Sequence, residues 1–165
     1  DVVTDLLTLA RDPAHRVLHC EPVDLAAIVT VTSRETQPLA DARNVDLELV
    51  AGSVIINGDE RRLRELTRNL LENAIRHART AVSVSSRRNG RFSEIVVEDD
   101  GEGVPRADRE RVFERFYRLS NDSSGAGLGL AIVRWIASAH GGGVSIDDSS
   151  LGGARFVAAF PAREG

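Results

Sequence analysis

Residues 59–78, DERRLRELTRNLLENAIRHA, decide how the rest of the sequence is interpreted. Apolar residues recur there at intervals of three or four, at Leu63, Leu66, Leu70 and Ala74. Residues at these intervals fall on one face of an α-helix. The stretch therefore predicts an amphipathic helix that begins near Asp59 and ends near Ala78.

A polar stripe borders the apolar face of this helix. Asn69, Asn73 and Arg76 are four and three residues apart, so they share one side of it. A carboxamide oxygen can ligate Mg²⁺, a hard cation usually held by a few protein groups together with nucleotide phosphates. Asn73 is the candidate metal ligand, with Asn69 beside it. The alternative, two ordinary surface asparagines, stays open for this pair alone.

The patterns on both sides of this helix predict the remaining elements. Asp24 is a favourable N-cap for a helix that runs towards Arg43, although Pro38 is expected to kink or shorten it. A fragment of a helix is expected at residues 1–11. The other predicted elements are strands at 45–50, 54–56, 81–86, 92–98, 144–147 and 155–160, a two-residue turn at 89–90, and helices near 108–116 and 128–140. Together they predict an α+β fold, a two-layer sandwich of a mixed, mainly antiparallel sheet with about three helices on one face.

Two glycine motifs follow predicted elements. Asp99-x-Gly101-x-Gly103 comes at the end of a strand, where a carboxylate stands beside backbone that a flat ligand can approach. An ionised Asp99 can accept a hydrogen bond from an adenine amino group. An ordinary turn after a strand has the same composition, so this motif is weak by itself.

The second glycine motif, Gly125-x-Gly127-x-Gly129, opens the helix predicted from Leu128. Bare backbone N–H groups and the positive end of a helix dipole are offered there to an anion such as phosphate. The spacing is not that of the dinucleotide-binding fingerprint, G-x-G-x-x-G. The phosphate loop that ends in Gly-Lys-Ser/Thr is also excluded, since the chain has no lysine.

The amino-acid composition argues against several kinds of partner and environment. The net charge of −4 among 165 residues gives no basic excess, so a nucleic-acid partner is not indicated. The lone cysteine, Cys20, allows no internal disulfide and suits a reducing compartment. No apolar stretch approaches the roughly 20 residues that span a bilayer. The absence of methionine suggests a piece of a longer protein.

The motifs and their order resemble the ATP-binding domain shared by sensor histidine kinases, gyrase, the ninety-kilodalton chaperones and MutL proteins. The resemblance spans Pro22 to Pro161. NLLENAIRHA (69–78) resembles the family's N box, DDGEGV (99–104) and GAGLGL (125–130) its two glycine boxes, and FERFYRLS (113–120) its F box. It implies the Bergerat-type ATP-binding fold.

The resemblance also implies roles for individual residues. Asn73, with Asn69 beside it, would hold Mg²⁺ against the phosphates of ATP, and Asp99 would recognise adenine. The segment between Phe116 and Gly125 would close over ATP as a lid. The remaining nucleotide-contacting residues that it implies are Arg76, His77, Gly101, Gly103, Val104, Arg118, Gly127, Leu128 and Gly129. Ala154 departs from the family pattern, in which threonine commonly follows Gly153.

Within the family, the ATP-hydrolysing branches carry a glutamate one turn before the metal-binding asparagine, where this chain has Asn69. The resemblance thus favours a kinase that transfers the γ-phosphate to a histidine on a separate dimerisation domain, for relay to a response regulator. No histidine here is followed by an acid in the phosphoacceptor pattern, so autophosphorylation of this chain alone is not expected. An ATPase, a nucleotide-sensing module and a serine kinase of the anti-sigma type remain alternatives.

The resemblance divides the chain in two. Residues 1–21 correspond to the end of the dimerisation domain and a linker, and residues 22–165 to the catalytic ATP-binding domain. The intact protein is expected to be a membrane-anchored bacterial receptor dimer with this domain in the cytoplasm. The fragment itself is expected to be a monomer.

Overall fold

A computed structural model describes residues 17–119 and 127–164. Within those residues the chain forms seven strands and three α-helices. Their bounds, in chain order, are β1 Glu21–Asp24, α1 Leu25–Ala42, β2 Asp46–Ala51, β3 Ile55–Gly58, α2 Glu60–His77, β4 Ala81–Asn89, β5 Phe92–Asp99, α3 Gly129–Ala139, β6 Gly143–Asp148 and β7 Ala154–Pro161. The predicted α+β sandwich is confirmed. The helix expected at residues 1–11 lies outside the described residues.

Five strands make one mixed sheet in the order β2-β4-β5-β7-β6. Strand β2 runs parallel to β4, and the other neighbours are antiparallel. Alternate residues of β4, such as Val82 and Val84, are buried on the helical side. Strands β1 and β3 pair separately as an antiparallel ribbon, which leads directly into α2.

The apolar face of α2 forms the middle of the core. Leu63, Leu66 and Leu70 have no exposed surface, and burying each such side chain contributes about 1.5–3 kcal/mol before the entropy cost of ordering it. Helices α1 and α3 both contact α2. The side chain of Asp59 accepts a hydrogen bond from the N–H of Arg62 and caps the first turn. The core thus fixes which side of α2 faces outward.

Two local predictions were wrong, and a third was wrong in part. Helix α1 is not shortened at Pro38 but continues to Ala42, since the burial of Thr36 and Ala40 on both sides of the proline stabilises it. The short helix expected near 108–116 is instead two 3-10 turns, Arg106–Asp108 and Arg111–Phe113. The β4–β5 turn consists of Gly90 and Arg91, because Asn89 already pairs with Phe92.

Among the described residues, no helix combines the length and the apolar character that crossing a membrane would require.

Candidate functional site

The carboxamides of Asn69 and Asn73 lie along the outward side of α2. Both residues are half-buried, and neither side chain forms a hydrogen bond with a described residue. Neither amide is among the enclosed polar atoms that lack a partner, so solvent or a ligand can reach both. These two amides are therefore available to a ligand.

Helix α2 reaches both glycine motifs. A Cβ atom at Gly101 would lie 2.2 Å from the carbonyl oxygen of His77, so the first motif packs on the C-terminal end of α2. A Cβ atom at Gly129 would lie 3.6 Å from Oδ1 of Asn69, so the second motif lies beside the middle of the same helix. Asn73 is one turn from Asn69 and one turn from His77, about 6 Å along the axis each way. It therefore stands between the two motifs.

Asp99 ends β5 with only 2% of its surface exposed. Its Oδ1 accepts hydrogen bonds from the N–H groups of Gly101, at 2.8 Å, and Ala154, at 3.2 Å. Burial raises the pKa of Asp99 above its ordinary value, against the lowering effect of these two bonds. No described residue donates to Oδ2, and Oδ2 is not among the enclosed polar atoms that lack a partner. This oxygen is free to meet a ligand.

Gly153 is a site residue that the sequence patterns did not single out. Its N–H donates to the carbonyl oxygen of Asp99 at 3.1 Å. A Cβ atom at this position would lie 2.2 Å from Asp99 Oδ1 and 2.5 Å from the nitrogen of Gly101. A side chain is excluded there, so Gly153 lets the β6–β7 hairpin close against Asp99. A double glycine in a hairpin looks like an ordinary turn, and the sequence gives no sign of this approach.

Two further side chains support the first glycine motif. Asp100 accepts hydrogen bonds from the N–H groups of Arg79 and Thr80 and from the Thr80 hydroxyl. Desolvation acts to raise the pKa of Asp100, but these bonds outweigh it and lower the pKa to about 2. Arg109 donates to the Val104 carbonyl at 3.0 Å and pairs with Asp148 at 2.6 Å. The loop is thus tied to the α2–β4 connection on one side and to β6 on the other.

The N-terminus of α3 faces the middle of α2. No side chain caps it, and Leu128, in the N-cap position, is buried. Gly127 has φ +72°, and a Cβ there would lie 2.9 Å from Cα of Phe116. The Phe116 N–H donates to the Gly127 carbonyl at 3.0 Å, which holds Phe116 at φ +64°. The middle of the F box, at Phe116, is therefore held against the residues that lead into α3.

The structure also places the other residues that were predicted to contact the nucleotide. Nη2 of Arg76 lies 3.6 Å from Oε2 of Glu72, and the His77 side chain is exposed. Gly103, at φ +75°, approaches Gly153, and the neighbouring Val104 packs against the core. Arg118 is exposed. Gly125 lies outside the described residues, as does most of the lid segment.

The residues present fit a magnesium ion held chiefly by a nucleotide. In the described part of the chain, no group of three or more His, Cys, Asp or Glu residues is arranged to hold a metal. The unpartnered carboxamides of Asn69 and Asn73 offer oxygen ligands on α2. Mg²⁺ keeps several waters and takes few protein ligands when phosphates supply the rest, so this donor set suits the ion only together with phosphates.

Comparison with known proteins gives a consistent result. Residues 58–164 match the family described as histidine kinase-, DNA gyrase B-, and HSP90-like ATPase. The sensor protein RstB of Escherichia coli (strain K12) is 38% identical over 165 residues, covering 97% of this chain and 38% of its own length. The sensor-like histidine kinase SenX3 of Mycobacterium bovis is 36% identical over 170 residues, covering 98% of this chain and 42% of its own. The chain thus spans well under half the length of these relatives.

Solved structures agree on the fold. The ATP binding domain of PrrB from Mycobacterium tuberculosis superimposes with a TM-score of 0.74 at 33% identity, covering 88% of this chain and 98% of that one. The mycobacterial sensor histidine kinase MprB gives a TM-score of 0.78 at 27% identity, covering 88% of this chain and 99% of that one. Both matches take in almost the whole of the other chain.

Proposed function

Because this chain belongs to the histidine kinase-, DNA gyrase B-, and HSP90-like ATPase family, with sensor histidine kinases among its relatives, we propose that it binds Mg-ATP and presents the γ-phosphate to a histidine on a separate domain. The observation that carries this proposal is the pair of half-buried, unpartnered carboxamides, Asn69 and Asn73, set between the buried carboxylate of Asp99 and an uncapped helix N-terminus at Leu128.

Each end of the site suits one end of ATP. Asp99 holds Oδ1 with two backbone N–H groups and leaves Oδ2 to accept from the adenine amino group. The N–H groups at the start of α3 and the positive helix dipole attract phosphate oxygens. Asn73 and Asn69 would hold Mg²⁺ between these ends, where the ion neutralises phosphate charge. His77, Gly101, Gly103, Val104 and Phe116 would line the nucleotide, with Arg76, Arg118 and Gly125 towards its phosphates.

The residue one helical turn before Asn73 favours transfer of the γ-phosphate over hydrolysis of ATP. A hydrolase needs a general base to activate water, and Asn69, one turn earlier, has no basic group. A nucleophile brought by a partner, such as an imidazole, needs no such base. The domain then acts by positioning the nucleotide and by neutralising charge.

The rest of the pathway is proposed from the relatives. The phosphoacceptor would be the histidine of a dimerisation domain in the same receptor, and a response regulator would take the phosphate from it. The intact protein would be a membrane-anchored dimer with this domain in the cytoplasm, while residues 22–165 act as the catalytic domain and residues 1–21 join it to the dimerisation domain.

The test supplies a dimerisation domain from the same receptor in trans, with γ-labelled ATP and Mg²⁺. Acid-labile label on its histidine is expected with the parent chain and is expected to be lost with Asn73→Ala. Gln37→Ala is the control, since it removes an exposed helical carboxamide on α1. Phosphate release without an acceptor, at the rate of transfer or faster, would indicate an ATPase. Tight ATP binding with neither reaction would indicate a nucleotide-sensing module.

A further inference from the structure

His140 joins α3 to α2 at the ends remote from the nucleotide site. It is the C-cap of α3, and its ring Nε2 lies 3.0 Å from the backbone nitrogen of Asp59, the N-cap of α2. Its Nδ1 lies 2.8 Å from the carbonyl oxygen of Ile136. A backbone N–H can only donate and a carbonyl can only accept. The neutral ring therefore carries its proton on Nδ1 and accepts at Nε2.

The His140 ring packs against residues of two strands, β7 and β3. It meets the ring of Phe160, on β7, edge-on, with centroids 5.8 Å apart. On β3, a Cβ atom at Gly58 would lie 3.2 Å from Cδ2 of the ring, so a larger residue would crowd it. Both neighbours hold the imidazole in the plane that its two hydrogen bonds require.

Asp59 uses every polar group it has at this junction. Its Oδ1 caps α2, its carbonyl accepts the first helical bond from Leu63, and its Oδ2 accepts the N–H of His19 at 3.0 Å. Its own N–H goes to His140. The Asp59 carboxylate lies near the ring, and the same carboxylate feels the guanidinium of Arg62, one turn further along α2. Loss of the imidazole acceptor would leave one half-buried N–H unpaired.

The two helices meet at a second point. Helix α3 runs antiparallel to α2, so its first residue, Gly129, lies beside Asn69 while its C-cap lies beside Asp59. These points are separated by about 15 Å, the length of ten helical residues. A hydrogen bond that joins the two helices at one end restrains their spacing at the other end, where the proposed phosphate- and metal-binding groups lie.

We propose that His140 is a positioning residue for nucleotide binding: by accepting the Asp59 N–H, it fixes α3 against α2 and so sets the distance from the α3 N-terminus to Asn69. The inference rests on the proposed Mg-ATP function. It concerns the phosphate end of the site, because Asp99 is held by β7 and the β6–β7 hairpin instead.

Three substitutions at His140 distinguish the effect of the hydrogen-bond acceptor from the effect of the ring volume. His140→Gln places an amide oxygen near the position of Nε2 and keeps the acceptor. His140→Asn has its amide near the position of Nδ1 and reaches only Ile136. His140→Phe fills the space of the ring and makes neither hydrogen bond. Mg-ATP affinity of the purified 165-residue chain is expected to fall about 3- to 30-fold in the Asn and Phe variants and to stay within about 2-fold in the Gln variant.

Two readouts distinguish positioning from a general loss of structure. Adenosine affinity, which depends on the Asp99 end, is expected to be unchanged in all three variants. Without nucleotide, the hydrogen-bonded backbone amides of α3, which begin at Ile132, are expected over residues 132–136 to exchange with deuterium faster in the Asn and Phe variants than in the parent or the Gln variant.

The outcomes are decisive in both directions. Equal loss in the Gln, Asn and Phe variants, or equal loss of adenosine and Mg-ATP affinity, would overturn the positioning role, as would unchanged exchange and affinity in all three. If the parent itself failed to bind Mg-ATP, the proposed function would fall. The nucleotide-free exchange rates would then still show whether the His140 bond braces α3 against α2.

Discussion

One added methyl group at Gly153 should disable adenine recognition. In Gly153→Ala, the new Cβ would stand 2.2 Å from Asp99 Oδ1, 2.5 Å from the Gly101 nitrogen and 2.6 Å from the Asp99 carbonyl oxygen. All three neighbours are backbone atoms or a buried carboxylate, so the strand end must shift. Overpacking of this kind costs about 1–3 kcal/mol. The shift also moves the carboxylate that is proposed to read adenine, and a loss of about 1.4 kcal/mol in binding is a tenfold loss in affinity.

The same hairpin supplies a matched control. A Cβ at Gly143 would meet no atom within 4 Å, so Gly143→Ala makes the same chemical change without a clash. Calorimetric titration with Mg-ATP and thermal unfolding are measured on both variants. Gly153→Ala is expected to bind at least about tenfold more weakly and to unfold at a lower temperature, with Gly143→Ala close to the parent. Parental affinity and parental stability in Gly153→Ala would refute the reasoning.

Three further predictions concern charged side chains. Asp99→Asn is expected to be more stable than the parent at neutral pH, because burial raises the pKa of Asp99. The unfolding curves of the variant and the parent should converge below about pH 4, where the carboxyl is protonated in both the folded and the unfolded parent. The Mg-ATP affinity of the variant should nevertheless be lower than that of the parent at pH 7. Asp100→Ala is expected to unfold at a lower temperature than the parent at pH 7. The pKa of Asp100 is about 2, so this difference should fade as the pH drops from about 4 towards 2, and a constant difference would contradict the hydrogen-bonding role. Glu35→Gln should cost only about 0.2–1 kcal/mol by denaturant unfolding, since the pairs with Arg64 and Arg68 are partly exposed, and about 1 M salt should remove most of the difference.

The elements predicted well are those with local signals. Helix α2 has a capping aspartate and a leucine face, and its observed range, Glu60–His77, agrees with the prediction. Strand β4 alternates between more and less buried residues, and the second glycine motif starts a helix as expected. In these segments, side-chain periodicity and caps act over a few residues, which a sequence displays directly.

The features that were missed depend on distant partners. Strand β1 has no alternating pattern, and it exists because Val23 pairs with Ile56 more than thirty residues later. The segment after the first glycine motif has helical composition, yet the bond from the Tyr117 hydroxyl to Asp108, at 2.8 Å, and the contacts of Arg109 hold it in short turns. Such tertiary contacts override local propensity.

The residues of the candidate site also fall into two groups: those that the sequence pattern indicates, and those whose role depends on contacts with distant residues. Asn73, Asp99 and the glycines are recognisable by their spacing, and the structure places Gly101 against His77 at the end of α2 and Gly129 beside Asn69. Gly153 and His140 act through contacts with residues far along the chain: the Gly153 nitrogen lies 3.1 Å from the Asp99 carbonyl oxygen, and His140 Nε2 lies 3.0 Å from the Asp59 nitrogen. No sequence spacing encodes those contacts.

The central claim is that this chain binds ATP through a magnesium ion at Asn73, and calorimetric titration of the purified chain with ATP tests it most directly. The titration is run with Mg²⁺ and again with a chelator, on the parent and on Asn73→Ala. We expect Mg²⁺ to strengthen binding to the parent and to make no difference to the variant. ATP binding that is absent in the parent, or that responds to Mg²⁺ equally with and without Asn73, would contradict the claim.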